Sequence, residues 1–191
     1  TVSGEVAEHC WSYLKEGGPQ NMENLLRFSF HLLGKGEEPS HAVPLMKAGL
    51  WYPNEGICDL EAIQKNWIVE EPVVAISFYR ALVQSGGLKP IEAMVNALRE
   101  RRINALPMFV SSLKDPVSIE IVRSVFEAKP PTLVLNATGF AVSSPTGEHR
   151  STVLDEGGCP VLQIVLAGGS REAWADSSQG LSSRDLAMNV A

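Results

Sequence analysis

Four short apolar runs in the second part of the chain constrain its fold more than any other feature. The runs are Val73–Phe78, Leu106–Ser111, Leu133–Asn136 and Val161–Leu166. They are rich in β-branched and aromatic residues, which favour strands. Their apolar residues stand at consecutive rather than alternate positions, so both faces of each strand must be covered. The runs therefore predict buried strands of a parallel sheet.

Helical patterns fill the gaps between these runs. Helices are expected over Leu88–Arg102, from Asp115–Pro116 to about Phe126, and from Ser170 through Trp174. Asp115 and Ser170 are residue types that cap helix starts, and Pro116 suits a first helical position. Strand and helix in alternation predict a doubly wound α/β domain over residues 71–191. We expect a Rossmann-like or flavodoxin-like open, mostly parallel sheet with helices on both faces.

The first 70 residues have a different character. Met22–Leu33 predicts a helix, ended by glycines. Prolines then punctuate a loop that carries a few apolar residues, and Asp59 could cap a short helix over Leu60–Trp67. Residues 1–70 are thus expected to form a mainly helical annex or the end of a preceding domain. The last residues, Met188–Ala191, carry no polar tail or helix breaker, which predicts an α/β domain truncated at its C-terminal end.

Charge and cysteine content narrow the class of protein. The formal net charge of the 191 residues is −6, and the pI is near 5.2. Nucleic acids and anionic membranes require a basic surface, so neither is expected as the main partner. No apolar stretch has the length of a membrane span. The three cysteines form no C-x-x-C pair, which predicts a reducing compartment and a cytoplasmic location.

Candidate ligand-binding residues follow the predicted strands, because open α/β sheets bind ligands outside the carboxyl ends of their strands. These segments are polar, small or glycine-bearing, so a ligand could approach the backbone. The candidates are Tyr79, Arg80, Ser111, Asn136, Thr138, Gly139, Gly169 and Arg171. Asn136 could instead be structural, bonded to a neighbouring loop. Arg171 opposes the dipole of a first helical turn, which favours a specific role such as binding a carboxylate.

Several enzyme motifs fail on inspection. The chain has no G-x-x-x-x-G-K-[ST] loop and no G-x-G-x-x-G after a strand, so neither a P-loop nor a dinucleotide is supported. Ser170 lacks both the final glycine of a nucleophile elbow and a downstream histidine. No histidine pair has the i, i+4 spacing of a helical metal site. We therefore expect no cofactor or metal bound by this segment, and no catalytic residue can be assigned.

Longer stretches around the strands form a connected pattern. They read PLMKAGLWYP from Pro44, PVVAISFYRALVQSGGL from Pro72, NALPMFVSSLKD from Asn104, VLNATGFA from Val134, GSREAW from Gly169 and SQGLSSRDLAMNVA from Ser178. In this order they resemble the large subunit of the aerobic cobaltochelatase family over most of residues 44–191. The related magnesium chelatase large subunit shares the Thr-Gly-Phe-Ala element but lacks the FYR and SSLK stretches, which favours the cobalt branch.

The resemblance implies a segment of a much longer subunit that binds a corrin-type tetrapyrrole. That subunit would insert Co²⁺ into hydrogenobyrinic acid a,c-diamide for cobalamin biosynthesis. It would thus belong to an ATP-dependent metal chelatase, a ligase forming nitrogen–metal bonds. ATP and Mg²⁺ would be used by separate AAA-type ATPase subunits, and the segment alone would be inactive. The alternatives are a magnesium chelatase relative, a stand-alone α/β module binding a small ligand, and a structural interaction module.

Overall fold

The helices and strands are seen in a computed structural model that describes residues 3–139, 151–178, 180–183 and 185. In chain order the helices are α1 (Gly4–Glu16), α2 (Gly18–Leu32), α3 (Leu60–Gln64), α4 (Arg80–Ser85), α5 (Lys89–Glu100), α6 (Pro116–Ala128) and α7 (Arg171–Ala175). The strands are β1 (Ala48–Tyr52), β2 (Gly56–Cys58), β3 (Val73–Tyr79), β4 (Asn104–Val110), β5 (Leu133–Asn136) and β6 (Val161–Gln163).

Contacts group the chain into two compact units. A helical unit comprises Thr1–Met46 and Arg80–Leu88, and a sheet unit comprises Lys47–Tyr79 and Lys89–Ala191. This grouping differs from a division at residues 70 and 71, because Ala48–Tyr52 pairs with the sheet. The division of the protein into domains over residues 1–70 and 71–191 stays a prediction. The predicted truncation at Met188–Ala191 lies outside the described residues.

The helical unit is built on a pair of helices joined by a glycine. The Ser3 side chain caps α1 by accepting a hydrogen bond from the Val6 N–H. Gly17 then adopts a φ of 65°, which glycine reaches without steric cost. Tyr13 of α1 and Phe28 of α2 are buried between the helices. The predicted helix at Met22–Leu33 is confirmed and begins earlier, whereas α1 was not predicted.

The sheet unit confirms the expected α/β class. Its six strands have the order β2-β1-β4-β3-β5-β6. The four strands from β3 to β6 are parallel, and β1 pairs antiparallel with both β4 and β2. The first parallel strand, β3, has the second on one side and the third on the other, which is the flavodoxin-like order. Residues along β4 are buried throughout, as expected of a strand covered on both faces.

The predicted starts of three helices agree with the structure, whereas the bounds of two strands differ from the prediction. The predicted caps are present, since the side chains of Asp59, Asp115 and Ser170 accept hydrogen bonds from the starts of α3, α6 and α7. β6 ends at Gln163, three residues earlier than its apolar run. β1 was assigned to a loop because Pro44 and Pro53 flank it. Within the described ranges, no helix has the length and apolar character needed to cross a membrane.

Candidate functional site

The order in which successive strands are added to the sheet reverses at β3. The carboxyl ends of β3 and β5 therefore form its topological switch point. From β3 the chain passes to β4 on one side and then returns to β5 on the other. In doubly wound sheets the crevice at such a switch point is where ligands bind. Strand pairing aligns Ser77 of β3 with Asn136 of β5. We call the set Ser77, Tyr79, Asn136, Thr138 and Gly139 the switch-point edge.

A buried polar network occupies this edge. The Asn136 Oδ1 accepts hydrogen bonds from Ser77 Oγ at 2.7 Å, from Thr138 Oγ1 at 2.7 Å and from the Thr138 N–H at 3.1 Å. The Asn136 Nδ2 donates to Gln163 Oε1 at 2.9 Å, and Gln163 Nε2 donates to the Thr138 carbonyl at 3.1 Å. Ser77 is 0% exposed and Thr138 3%. The network connects β3, β5 and β6 just where these strands end.

The side chains of Asn136 and Thr138 form their hydrogen bonds within this network. Among the described residues, no buried side-chain nitrogen or oxygen lacks a hydrogen-bond partner. Satisfied buried networks fix one geometry, because breaking them exposes the full desolvation cost of each group. Tyr79 and Gly139 are half-buried at the same edge. The network therefore fixes the backbone that leads into Gly139.

Ser111 follows β4 and has a bonding role of its own. Its N–H and its Oγ both donate to the Lys47 carbonyl, at 2.8 and 2.7 Å. The Lys47 ammonium in turn lies 3.0 Å from Asp115 Oδ1. The Ser118 N–H and Lys47 hold the pKa of the Asp115 carboxyl below its ordinary value. Ser111 thus ties the end of β4 to the residue before β1.

Arg80 belongs to the helical unit and is also fully engaged there. Its Nε donates to the Met46 carbonyl and its Nη2 to the Leu45 carbonyl, both at 3.0 Å. Its Nη1 donates to Gln84 Oε1, and Glu16 lies 3.7 Å away. A guanidinium with five donors in a fixed plane suits such a clamp on backbone carbonyls. The structure places Arg80 as an anchor for the segment that precedes the sheet.

The last two candidates follow β6, the outermost parallel strand of the sheet. Gly169 and Arg171 are both exposed. A Cβ at Gly169 would meet nothing within 4 Å, so space does not demand glycine there. Arg171 occupies the first turn of α7, behind the Ser170 cap. The structure does not bring these two residues together with Asn136 and Thr138.

Two of the three cysteine thiols have raised pKa values. Burial raises the pKa of both the Cys58 and the Cys159 thiol, which lowers their thiolate fraction at neutral pH. In residues 3–139, 151–178, 180–183 and 185, no group of three or more His, Cys, Asp or Glu residues is arranged to hold a metal ion.

Sequence reasoning missed Ser77 and Gln163. Each is a polar residue inside an otherwise apolar run, VVAISF and VLQIVL. A buried polar side chain requires a hydrogen-bond partner, so these residues signalled a network. Their partners could not be named without knowing that β5 lies between β3 and β6.

Comparison with known proteins relates this chain to metal chelatases. Residues 11–191 match the family model for CobN/Magnesium Chelatase. The chain is 45% identical over 199 residues to the aerobic cobaltochelatase subunit CobN of Sinorhizobium sp, and 32% identical over 191 residues to the protein of that name from Pseudomonas aeruginosa. Both alignments cover 100% of this chain, but only 16% and 15% of these relatives.

A solved structure supports the fold. The catalytic subunit of cobaltochelatase from Mycobacterium tuberculosis superposes with a TM-score of 0.74 at 22% sequence identity. The superposition covers 100% of this chain and 16% of that subunit. The chain therefore spans a small part of the length of the proteins it resembles.

Proposed function

Because this chain belongs to the CobN/magnesium chelatase family, we propose that it is a segment of the large, tetrapyrrole-binding subunit of a cobaltochelatase. The observation that carries the proposal is 45% identity to a CobN subunit along the whole chain. The complete subunit would insert Co²⁺ into hydrogenobyrinic acid a,c-diamide during cobalamin biosynthesis in the cytoplasm. Separate AAA-type subunits would hydrolyse ATP with Mg²⁺.

Insertion of a cation into a macrocycle sets three physical demands. The ring must be deformed, water must leave the cation, and two pyrrole protons must be accepted. The groups that bind the cation and accept the protons are not assigned to this chain. Its contribution is proposed to be a rigid sheet edge that helps to position the substrate.

We propose that the switch-point edge is the part of this segment that faces the tetrapyrrole. The side chains of Asn136 and Thr138 bond to each other and to Ser77 and Gln163, so they position the edge. The partly exposed backbone of Gly139, next to this network, would contact the substrate. A diamide substrate carries both donors and acceptors, which suits a backbone surface. The same saturated network favours a second candidate, a structural module that orients other parts of the subunit.

The activity is tested on the complete large subunit that contains this segment. The subunit is mixed with its ATPase subunits, ATP, Co²⁺ and hydrogenobyrinic acid a,c-diamide, and cobalt insertion is followed by visible absorbance. We expect insertion with Co²⁺ that stops when ATP is omitted. Insertion of Mg²⁺ but not Co²⁺ would assign the segment to the magnesium chelatase branch of the family. That result would contradict the proposal.

The role of the switch-point edge is tested by removing the hydrogen bonds that one exposed side chain makes to it. Gln163 is exposed, so Gln163→Ala removes its bonds to Asn136 and Thr138 while water replaces them. If the edge contacts substrate, the Kd of the complete subunit for the tetrapyrrole rises about 3- to 10-fold, the equivalent of one net hydrogen bond. Ser29→Ala, which removes another exposed hydrogen bond, is the matched control. An unchanged Kd for Gln163→Ala would favour the structural module.

A further inference from the structure

Helix α2 has buried side chains on one side and exposed apolar side chains on the opposite side. Its buried residues, Asn21, Asn24 and Phe28, face α1 and the segment around Ser40. Leu26, Phe30 and Leu33 stand at i, i+4 and i+7, and 3.6 residues per turn place them roughly opposite the buried set. These three are 63%, 57% and 72% exposed. We call Leu26, Phe30 and Leu33 the outer stripe.

One residue of the outer stripe, Phe30, borders a groove with charged margins. Phe30 borders an open groove of about 490 Å³, whose other lining residues are Arg27, Lys35, Gly36, Glu37, Glu38 and Pro39. An apolar centre with a charged rim is the usual anatomy of an interface. On the neighbouring helix, Trp11 is also 63% exposed and Leu14 is 51% exposed.

The concentration of exposed apolar side chains sets this unit apart. Thirteen large hydrophobic residues of the described chain are exposed, and six of them lie on α1, α2 and the residue that ends α2. Single exposed hydrophobic residues are ordinary, whereas a contiguous row marks a surface that another element covers.

We propose that the outer stripe is covered by an amphipathic helix from another part of the same large subunit. This inference rests on the proposed function, because it requires that the segment belong to a longer chain. The relatives supply that chain, since the matched region is only 16% of the Sinorhizobium protein. A tethered element has a far higher effective concentration than a separate molecule. Tethering therefore favours such an element over a second copy as the occupant of the stripe.

The geometry of the stripe defines the chemistry of this partner. Leu26 to Leu33 spans roughly 10 Å along the helix axis at 1.5 Å per residue. Residues at i, i+4 and i+7 have the spacing of a coiled-coil seam, in which each side chain inserts between residues of a facing helix. The row contains no polar group, so the facing side chains are apolar and recur every three to four residues. Polar residues at the margins of that helix would meet Arg27, Lys35 and Glu38.

The test is hydroxyl-radical footprinting of the complete large subunit, read residue by residue by mass spectrometry. We expect Leu26, Phe30 and Leu33 to react roughly tenfold or more slowly than in the denatured subunit, because burying one phenylalanine shifts an opening equilibrium by at least that factor. Val69, which is 85% exposed in the sheet unit, is the reference for an open side chain. Reactivity of the stripe equal to that in the denatured subunit would overturn the proposal.

A matched pair of variants gives an independent readout. Phe30→Glu places a charge in the proposed contact, whereas Ser29→Glu adds the same charge at an exposed neighbour. We expect faster hydrogen exchange along α2 of the complete subunit for Phe30→Glu only. Equal exchange in the two variants would also overturn the proposal.

Two other possible occupants of the outer stripe are tested by diluting the subunit and by adding the ATPase subunits. Protection that disappears on dilution, together with a fall in molar mass by light scattering, would assign the stripe to a second copy. Protection that appears only after the ATPase subunits are added would assign it to them. Either result overturns the proposal. Cobalt insertion is measured separately, so a protected stripe in a subunit that fails to insert Co²⁺ would refute the function and leave the docking intact.

Discussion

The buried amide of Asn136 offers the most direct test of how the sheet edge is held. Asn136→Ala removes the acceptor of two buried hydroxyls, Ser77 Oγ and Thr138 Oγ1, both bonded to it at 2.7 Å. It also removes the acceptor of the Thr138 N–H. Ser77 is 0% exposed and Thr138 is 3% exposed, so water cannot replace the lost partner without opening the strands.

The magnitude follows from the number of orphaned groups. Each unsatisfied buried polar group costs about 1–3 kcal/mol. Hydroxyl rotation recovers part of that cost, so we expect Asn136→Ala to lower the free energy of unfolding by about 3 kcal/mol. Gln163→Ala breaks part-buried bonds of the same network and is expected to cost about 1 kcal/mol. The difference between the two variants corresponds to roughly a 30-fold change in the unfolding equilibrium.

Urea unfolding of the chain, followed by circular dichroism and by tryptophan fluorescence, measures these values. Trp67 reports on the sheet unit, because its Nε1 donates to the Ala105 carbonyl at 2.9 Å. The slopes of the unfolding curves must agree among variants before the free energies are compared. A loss below about 1 kcal/mol for Asn136→Ala, or one no larger than that for Gln163→Ala, would refute the account of the network.

Three further predictions concern the cap of α6, the turn between α1 and α2, and the anchor of the helical unit. Asp115 has a lowered pKa. Its contribution to stability is therefore present above the ordinary value of 3.8 and lost as pH falls through the lower folded value; unfolding midpoints of Asp115→Ala and the parent should converge in acid. Gly17→Ala should destabilise more than Gly18→Ala in thermal unfolding. Both have positive φ, but only a Cβ at Gly17 would clash with Gln84. Arg80→Lys cannot reach two carbonyls in one plane, so hydrogen exchange around Leu45 should accelerate, and unchanged exchange would contradict the clamp.

Much of the fold could be read from local patterns. Consecutive apolar residues at Val73–Phe78 specified a strand covered on both faces, and that strand is β3. Asp115 before Pro116 specified the start of α6. These features depend on residues near in sequence, where hydrogen bonds and side-chain periodicity act over a few positions. β1 was missed because its apolar residues gain a strand conformation only by pairing with β4, about 60 positions away.

The sequence predicted where the candidate site lies but not how its residues are bonded to each other. The carboxyl ends of the strands were the expected location, and Asn136 and Thr138 lie there. Their role depends on Ser77 and Gln163, whose bonds to them join positions 59 and 27 residues apart. Whether these residues contact a tetrapyrrole stays a prediction.

By itself, the sequence determined the α/β class, the caps of the helices and the resemblance to cobaltochelatase large subunits. Such features are recorded in residue type and spacing along the chain. Only the tertiary structure decided the strand order, the closed bonding of the switch-point edge and the exposure of Leu26, Phe30 and Leu33. The physical reason is that burial and long-range hydrogen bonds are properties of pairs distant in sequence. A leucine on a helix has the same local pattern whether its outer face meets water or another element.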